Sequence, residues 1–246
     1  MKYLKILFLS FLVVAFFSCT KLDETFRSDL SQSSSSNVAA GDLLINAYNG
    51  LGTFQTGNIW HLEEHTSDEI IAPTRGPDWD DNGQWRALHG HTWNADHGTI
   101  GGAFSDLLSV QFAASNVLQF NPSAQQAAEA RFIRALTIFF VLDGWNQVPY
   151  REDLNDYKID PIDLKGTDAA DFIISELNAI INDLPDSGPA YVANKNAARF
   201  LLIKVYLNKG AFANRANPTV DAGDMNQVIS LADQIIASGK YSIKPN

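Results

Sequence analysis

Ala127–Trp145 reads AAEARFIRALTIFFVLDGW. Its apolar positions Ala128, Phe132, Ala135, Leu136, Phe139 and Leu142 step by 4, 3, 1, 3 and 3. That is the 3.6-residue period of a helix stripe, not the period of 2 that a strand requires. Trp145, at the end of the stripe, is read as core. The same spacing recurs downstream in Ala169, Phe172, Ile173, Leu177, Ile180, Ile181 and Leu184. Thr167 or Asp168 is the expected cap, acids fill the first turn, and Pro185-Asp186-Ser187-Gly188-Pro189 stops the helix. Two further copies run through Ala198, Leu201, Leu202, Val205 and Tyr206, with an end at Gly210, and through Val228, Ile229, Ala232, Ile235 and Ile236, with Gly239 just past the end. Upstream, Val38, Leu44, Ala47, Tyr48 and Leu51 suit a first helix stopping near Gly50 or Gly52, and a further helix is expected from about Ile100 to Phe120. The predicted fold is mainly α, built of tetratricopeptide-like helical hairpins with insertions, because the helix starts near 168 and 224 are farther apart than the repeat of about 34 residues in that class.

The composition agrees with a packed domain and restricts its partners. Of 246 residues, 46% are apolar and 19% charged, a globular balance. The single cysteine excludes an internal disulfide and a thiolate-rich metal site. A formal charge of −10 argues against nucleic acid, whose phosphates are held by clustered Lys and Arg.

Residues 1–18 read as a signal peptide: Lys2 and Lys5 precede an apolar run of 12 residues, Ile6 to Phe17, broken only by Ser10. A membrane-spanning helix needs about 20, so the run fits a removable export core. Phe16-Phe17-Ser18-Cys19 resembles a bacterial lipobox with Phe16 in place of the usual Leu, and makes Cys19 the expected lipidation site. Several acyl chains at about 0.8 kcal/mol per buried methylene hold a protein on a membrane. Cleavage removes two lysines and no acid, taking the formal charge from −10 to −12. Residues 19–37, with Asp23, Glu24 and the run Ser31-Gln32-Ser33-Ser34-Ser35-Ser36-Asn37, read as a lipid-anchored tether too polar to order itself. Acids just after such a cysteine resemble the surface-export signals of Bacteroidetes lipoproteins, which implies an outward-facing outer-membrane location.

Between the first two helices, Phe54 to Gly98 reads as a long irregular, aromatic-rich insertion. It holds every tryptophan except Trp145 and all five histidines, with Asp68, Glu69, Arg75, Asp78, Asp80 and Asp81. Segments of that length inside a compact domain are usually functional.

The residues then begin to resemble a family. Asp68-Glu69-Ile70, Pro73-Thr74-Arg75-Gly76-Pro77-Asp78-Trp79 and Trp85-Arg86-Ala87-Leu88-His89-Gly90-His91-Thr92-Trp93 are similar to the loop region of SusD/RagB proteins, the glycan-capturing outer-membrane lipoproteins of Bacteroidetes. Three later runs agree in order: Glu129 to Leu136 leading to Val148-Pro149-Tyr150, Ala198 to Asn208, and Ile235 to Ser242. Gly101-Gly102-Ala103-Phe104 departs from the aromatic helix the family usually has there. Members of the family continue well past the position of Lys244-Pro245-Asn246, so 38–246 is expected to be an incomplete N-terminal helical domain.

The resemblance implies a surface lipoprotein that binds oligo- or polysaccharide without catalysis or cofactor and delivers it to a SusC-like TonB-dependent transporter. The residue chemistry suits the same ligand. Sugar rings stack their C–H faces on indole for about 0.5–1.5 kcal/mol beyond area burial, and their hydroxyls suit carboxylate and guanidinium partners. Trp79, Trp85 and Trp93 are the expected stacking surface, Asp68 and Arg75 the hydroxyl partners, with Asp80 or Asn82 assisting. The positional match is best for Asp68, Arg75 and Trp93. The structural alternatives are tryptophans packed down as plugs and an Asp68–Arg75 ion pair.

Two other readings compete. His61-Leu62-Glu63-Glu64-His65 matches the H-x-x-E-H pattern of a zinc peptidase, in which His61 and His65 hold the metal and Glu64 activates water. Its flanks, Asn58 to Trp60 and Thr66 to Pro73, do not sustain a long amphipathic helix, and His89, His91 and His97 are too irregularly spaced to add a second cluster. No carboxylate pair is distinguished for glycosidase chemistry. The third reading is a helical-repeat scaffold that binds only a protein partner.

Overall fold

A computed structural model describes residues 38–73, 76–152, 154 and 159–243. The signal segment 1–18, the tether 19–37 with Cys19, and Arg75 lie outside the described residues. The long helices are α1 (Ala40–Gly50), α5 (Gly98–Val117), α6 (Ala124–Trp145), α7 (Gly166–Ile180), α8 (Lys195–Ala213) and α9 (Ala222–Ala237). Each packs on its chain neighbour from α5 to α9, and α1 lies against α5 and α6. The fold is mainly α, a row of helical hairpins.

Helix α6 is the centre. Ser123 caps it by accepting from the Gln126 amide at 3.3 Å, while Gln126 Oε1 accepts from the Ser123 amide at 2.9 Å, so two end donors are satisfied reciprocally. Asn146 ends it in the left-handed region at φ 57°. The sequence predicts one buried stripe, but Ala130, Ile133, Thr137, Ile138 and Val141 are buried as well. A helix apolar on most sides belongs in a core, with α1, α5, α7 and α8 around it. Three charged residues on it have partners, and two of them, Glu129 and Arg134, are buried. Arg131 and Arg134 reach Glu176 of α7 at 2.6 and 2.5 Å, and Glu129 accepts from the Tyr48 hydroxyl of α1 at 2.7 Å.

Three details differ from the sequence reading, and a fourth agrees with it. Lys165 stands at the N-cap of α7 without a side-chain cap bond, and Thr167 and Asp168 lie in its first turn. Gly210 does not end α8: a Cβ there would sit 1.7 Å from the Thr219 carbonyl oxygen, so the glycine lets the following segment lie against the helix. Gln147–Tyr150 (β1) pairs antiparallel with Ile162–Lys165 (β2), Val148 opposite Leu164. Val148 and Tyr150 point into the core and Pro149 out, a two-residue alternation too short to read from sequence. Gly239, with φ 63° just beyond α9, is the left-handed terminator expected of it.

The aromatic segment is less irregular than expected. It contains α2 (Thr53–Thr56), α3 (Asn58–Thr66), a 3-10 turn at Asp81–Gly83 and α4 (Gln84–His89).

Candidate functional site

Helix α3 is fixed on α5 by polar and apolar contacts together. Asn58 Nδ2 and Thr53 Oγ1 donate to Asp106 Oδ2 at 3.0 and 2.9 Å, and Ile59 is buried. A Cβ on Gly102 would lie 2.6 Å from Asn58 Nδ2, so Gly102, part of the stretch read above as a departure from a family pattern, is what admits α3, whereas Gly101 faces open space. Helix α4 is anchored by buried Leu88 and Trp85, and its first residue is tied to α5. His97 Nε2 lies 3.1 Å from the Gln84 carbonyl oxygen, and Thr99 donates to the Gln84 side chain at 3.1 Å.

An open cavity of about 340 Å³ lies over α3, lined by Trp60, His61, His65, Ile70 to Pro73, Asp78 and Trp79. Trp79 is 54% exposed. It holds φ 55°, as do Asp68, Asp81, Asn82 and His91 nearby with values between 40° and 64°. Positive φ is uncommon for non-glycine residues and rarer still for a bulky one, and such strain concentrates at functional sites. The Trp79 ring lies 6.1 Å from Trp85 and 6.4 Å from His61.

Trp85 requires a correction. It is expected above on the stacking surface, but it is 8% exposed and forms the support beneath Trp79. Its Nε1–H donates to Asp81 Oδ2 at 2.5 Å, and its ring stacks on His65 at 5.1 Å and 24° and lies 4.5 Å from His61. Buried indole keeps its N–H bonded, and a carboxylate in the left-handed turn just before α4 supplies the acceptor.

The other predicted residues are spread along the segment. Trp93 is 40% exposed beside His91, 5.2 Å between ring centres, and is not part of the cavity lining. Asp68 is exposed with Oδ1 3.5 Å from His89 Nδ1. Asp80 pairs with Arg86 at 2.8 Å, both well solvated, a contact that contributes little to stability. The sequence reading missed Trp60, Ile71 and Asp78 as cavity-lining groups. Their signal was proximity in sequence to Trp79 and to the helix now seen at 58–66.

That helix is only nine residues and ends at Thr66, as the flanks suggest, yet it does bring the His61 and His65 rings within 5.8 Å of each other. His65 Nδ1, however, is turned to the His61 carbonyl oxygen at 2.9 Å. Among the described residues no group of three or more His, Cys, Asp or Glu is placed to hold a metal ion. The His61 pKa is lowered, first by burial and then by the neighbouring His65.

The starch-binding protein SusD of Bacteroides thetaiotaomicron is 35% identical over 96 residues, which take in 38% of this chain and 17% of that protein. A SusD-like protein of Bacteroides ovatus is 29% identical over 161 residues, 60% of this chain and 29% of that one. A solved SusD-superfamily structure from Bacteroides thetaiotaomicron superposes with a TM-score of 0.63 at 16% identity, over 84% of this chain and 48% of the other. In sequence and in fold the chain is similar to SusD proteins. A structure determined with a xylogluco-oligosaccharide has the same fold at a TM-score of 0.66 and 23% identity, over 82% of this SusD-like chain and 41% of the other. The matched part is thus less than a third of the two curated relatives and under half of the two structures. No protein-family model matches the chain.

Proposed function

We propose that this SusD-like chain binds oligo- or polysaccharide at the Trp79 cavity and does so without catalysis. One observation carries the reading: an outward indole, strained in φ and braced from below by Trp85, at the mouth of a cavity that also holds Trp60 and polar Asp78. A rigid ring face exposed to water is what the C–H face of a pyranose stacks on, and neighbouring acceptors suit its hydroxyls. Trp93 and Asp68, exposed on the same segment, extend the surface along which a longer glycan is contacted, with Arg75 and Asp80 as further hydroxyl partners. The starch-binding and oligosaccharide-bound relatives support the same ligand class.

The finer reading is that Cys19 carries lipid after removal of 1–18, that 19–37 tethers the chain outside the outer membrane, and that the captured glycan passes to a SusC-like TonB-dependent transporter. Affinity gel electrophoresis of the soluble chain through starch, laminarin and xyloglucan tests the central part. Retardation by at least one polysaccharide, reduced in Trp79→Ala and in Trp93→Ala, is the expected result, and unretarded migration in all three contradicts it.

A second reading, a scaffold for a protein partner, draws on the exposed apolar side chains of the last two helices, Phe200, Leu207, Ile229 and Ile236. Exposed large apolar side chains grouped on neighbouring helices suit a surface that another chain covers. The two readings are compatible, because the apolar face and the cavity lie on different helices.

A further inference from the structure

A second open cavity, of about 520 Å³, shares no lining residue with the one at Trp79. Tyr48 and Asn49 of α1, Gln55 of α2, Phe132 of α6 and the turn before α8 that carries Tyr191 form its walls. That turn is fixed from several sides. The Val192 amide donates to the Pro189 carbonyl and the Lys195 amide to the Pro185 carbonyl, each at 3.0 Å, and Lys195 pairs with Asp186 at 3.1 Å. Tyr48 ties the turn to the helical body, because its hydroxyl accepts from the Ala193 amide at 3.0 Å while donating to Glu129 at 2.7 Å. On this held backbone Tyr191 is 78% exposed. A large ring on an ordered turn loses little further freedom when a ligand settles on it.

The groups that a ligand meets here are reachable and uncharged. The lining contains no Asp, Glu, Lys, Arg or His, so it offers no charge to hold an ion or a charged side chain, and suits a neutral ligand. Asn49 and Gln55 are exposed, and each carboxamide presents two donors beside an acceptor. Among the described residues neither carboxamide nor the Tyr191 hydroxyl has a hydrogen-bond partner. A neutral molecule whose adjacent hydroxyls both donate and accept, and whose ring has an apolar C–H face, matches that set.

We propose that the Tyr191 cavity is a second carbohydrate subsite, in which the C–H face of a neutral sugar unit lies on Tyr191 and its hydroxyls meet Asn49 and Gln55. The ligand class rests on the carbohydrate-binding reading above, whereas the place is separate from Trp79. A polysaccharide long enough to engage both subsites is held more tightly than a short oligosaccharide, since its second contact forms within one complex.

Proton–nitrogen NMR of the soluble chain, titrated with maltoheptaose, laminarihexaose and a xyloglucan oligosaccharide, reads the two places separately. With at least one of the three, saturable shifts are expected at the side-chain amides of Asn49 and Gln55 and the backbone amides of 190–193, and they are expected to persist in Trp79→Ala. Tyr191→Ala is expected to weaken binding at this set roughly 3- to 10-fold, the size of one stacking contact, and Tyr191→Phe, which keeps the ring face, to hold it within about 2-fold. Shifts at the Trp79 cavity alone overturn the second subsite and leave the first reading standing. Shifts at neither place with any of the three overturn both. The second subsite is also overturned by shifts at Asn49 and Gln55 that vanish in Trp79→Ala or are unchanged in affinity in Tyr191→Ala. Movement of the same amides on diluting the free chain identifies a second copy as the occupant, and overturns it as well.

Discussion

The row α5–α9 and the segment 53–97 are built on different rules. In the first, charged groups that are buried meet charged or hydroxyl partners: Glu176 takes both Arg131 and Arg134, and Glu129 takes Tyr48. In the second, Trp79 stands exposed with positive φ, and one ring nitrogen each of His61, His65 and His97 is buried without a hydrogen-bond partner. The helical row is organised for stability. Unpartnered buried atoms occur in the row as well, at Gln111 Oε1, Arg134 Nε and Asn146 Oδ1, so what sets the aromatic segment apart is an exposed indole on strained backbone, a feature that concentrates at functional sites.

Removing Glu176 tests the satisfied region most severely. Glu176→Ala leaves two guanidinium groups between α6 and α7, that of Arg134 almost fully buried, and is expected to lower unfolding free energy by about 3–5 kcal/mol in urea. The same carboxylate predicts an acid sensitivity. Burial pushes its pKa up, but the Arg131 hydrogen bonds and the Arg134 charge override this and hold it below its ordinary 4.5. The folded chain therefore binds fewer protons here than the unfolded one, so this contribution is complete above the ordinary value and is lost as pH falls through the folded value. Urea midpoints taken from pH 7 down to 3 are expected to fall more steeply for wild type than for Glu176→Ala.

Leu142→Ala, fully buried in α6, is expected to cost about 2–5 kcal/mol by the same measurement, with no effect on glycan retention beyond loss of folded protein. Gly102→Ala couples the two regions. Its methyl displaces Asn58 from Asp106, with an expected loss of about 1 kcal/mol and a measurable weakening of carbohydrate binding as α3 shifts. Trp79→Ala lies at the other end: stability is expected to stay within about 0.5 kcal/mol while retention by polysaccharide drops. A large stability loss in Trp79→Ala breaks the contrast, since it makes that ring part of the core.

The long helices were legible because each repeats its period over three or more turns, and Gly239 because a glycine past an apolar run has a local meaning. What sequence did not reveal depends on partners distant in the chain. Helix α3 is only nine residues and weakly patterned, and its support is Asp106 together with the space at Gly102. Gly210 looked like a terminator because its true neighbour, the Thr219 carbonyl, comes from the segment beyond the helix. The site was half legible. Trp79, which lines the cavity, was among the residues singled out, but Trp85 is identical in type to it and differs in its partners, Asp81 four residues before it and two histidine rings packed on it.

Tryptophan fluorescence of the soluble chain, titrated with maltoheptaose, laminarihexaose and a xyloglucan oligosaccharide, tests carbohydrate capture at Trp79 most directly. A saturable change with at least one of them in wild type, lost in Trp79→Ala while the melting curve is unchanged, is the predicted result. The same saturable change in Trp79→Ala, or none in wild type with any of the three, contradicts it.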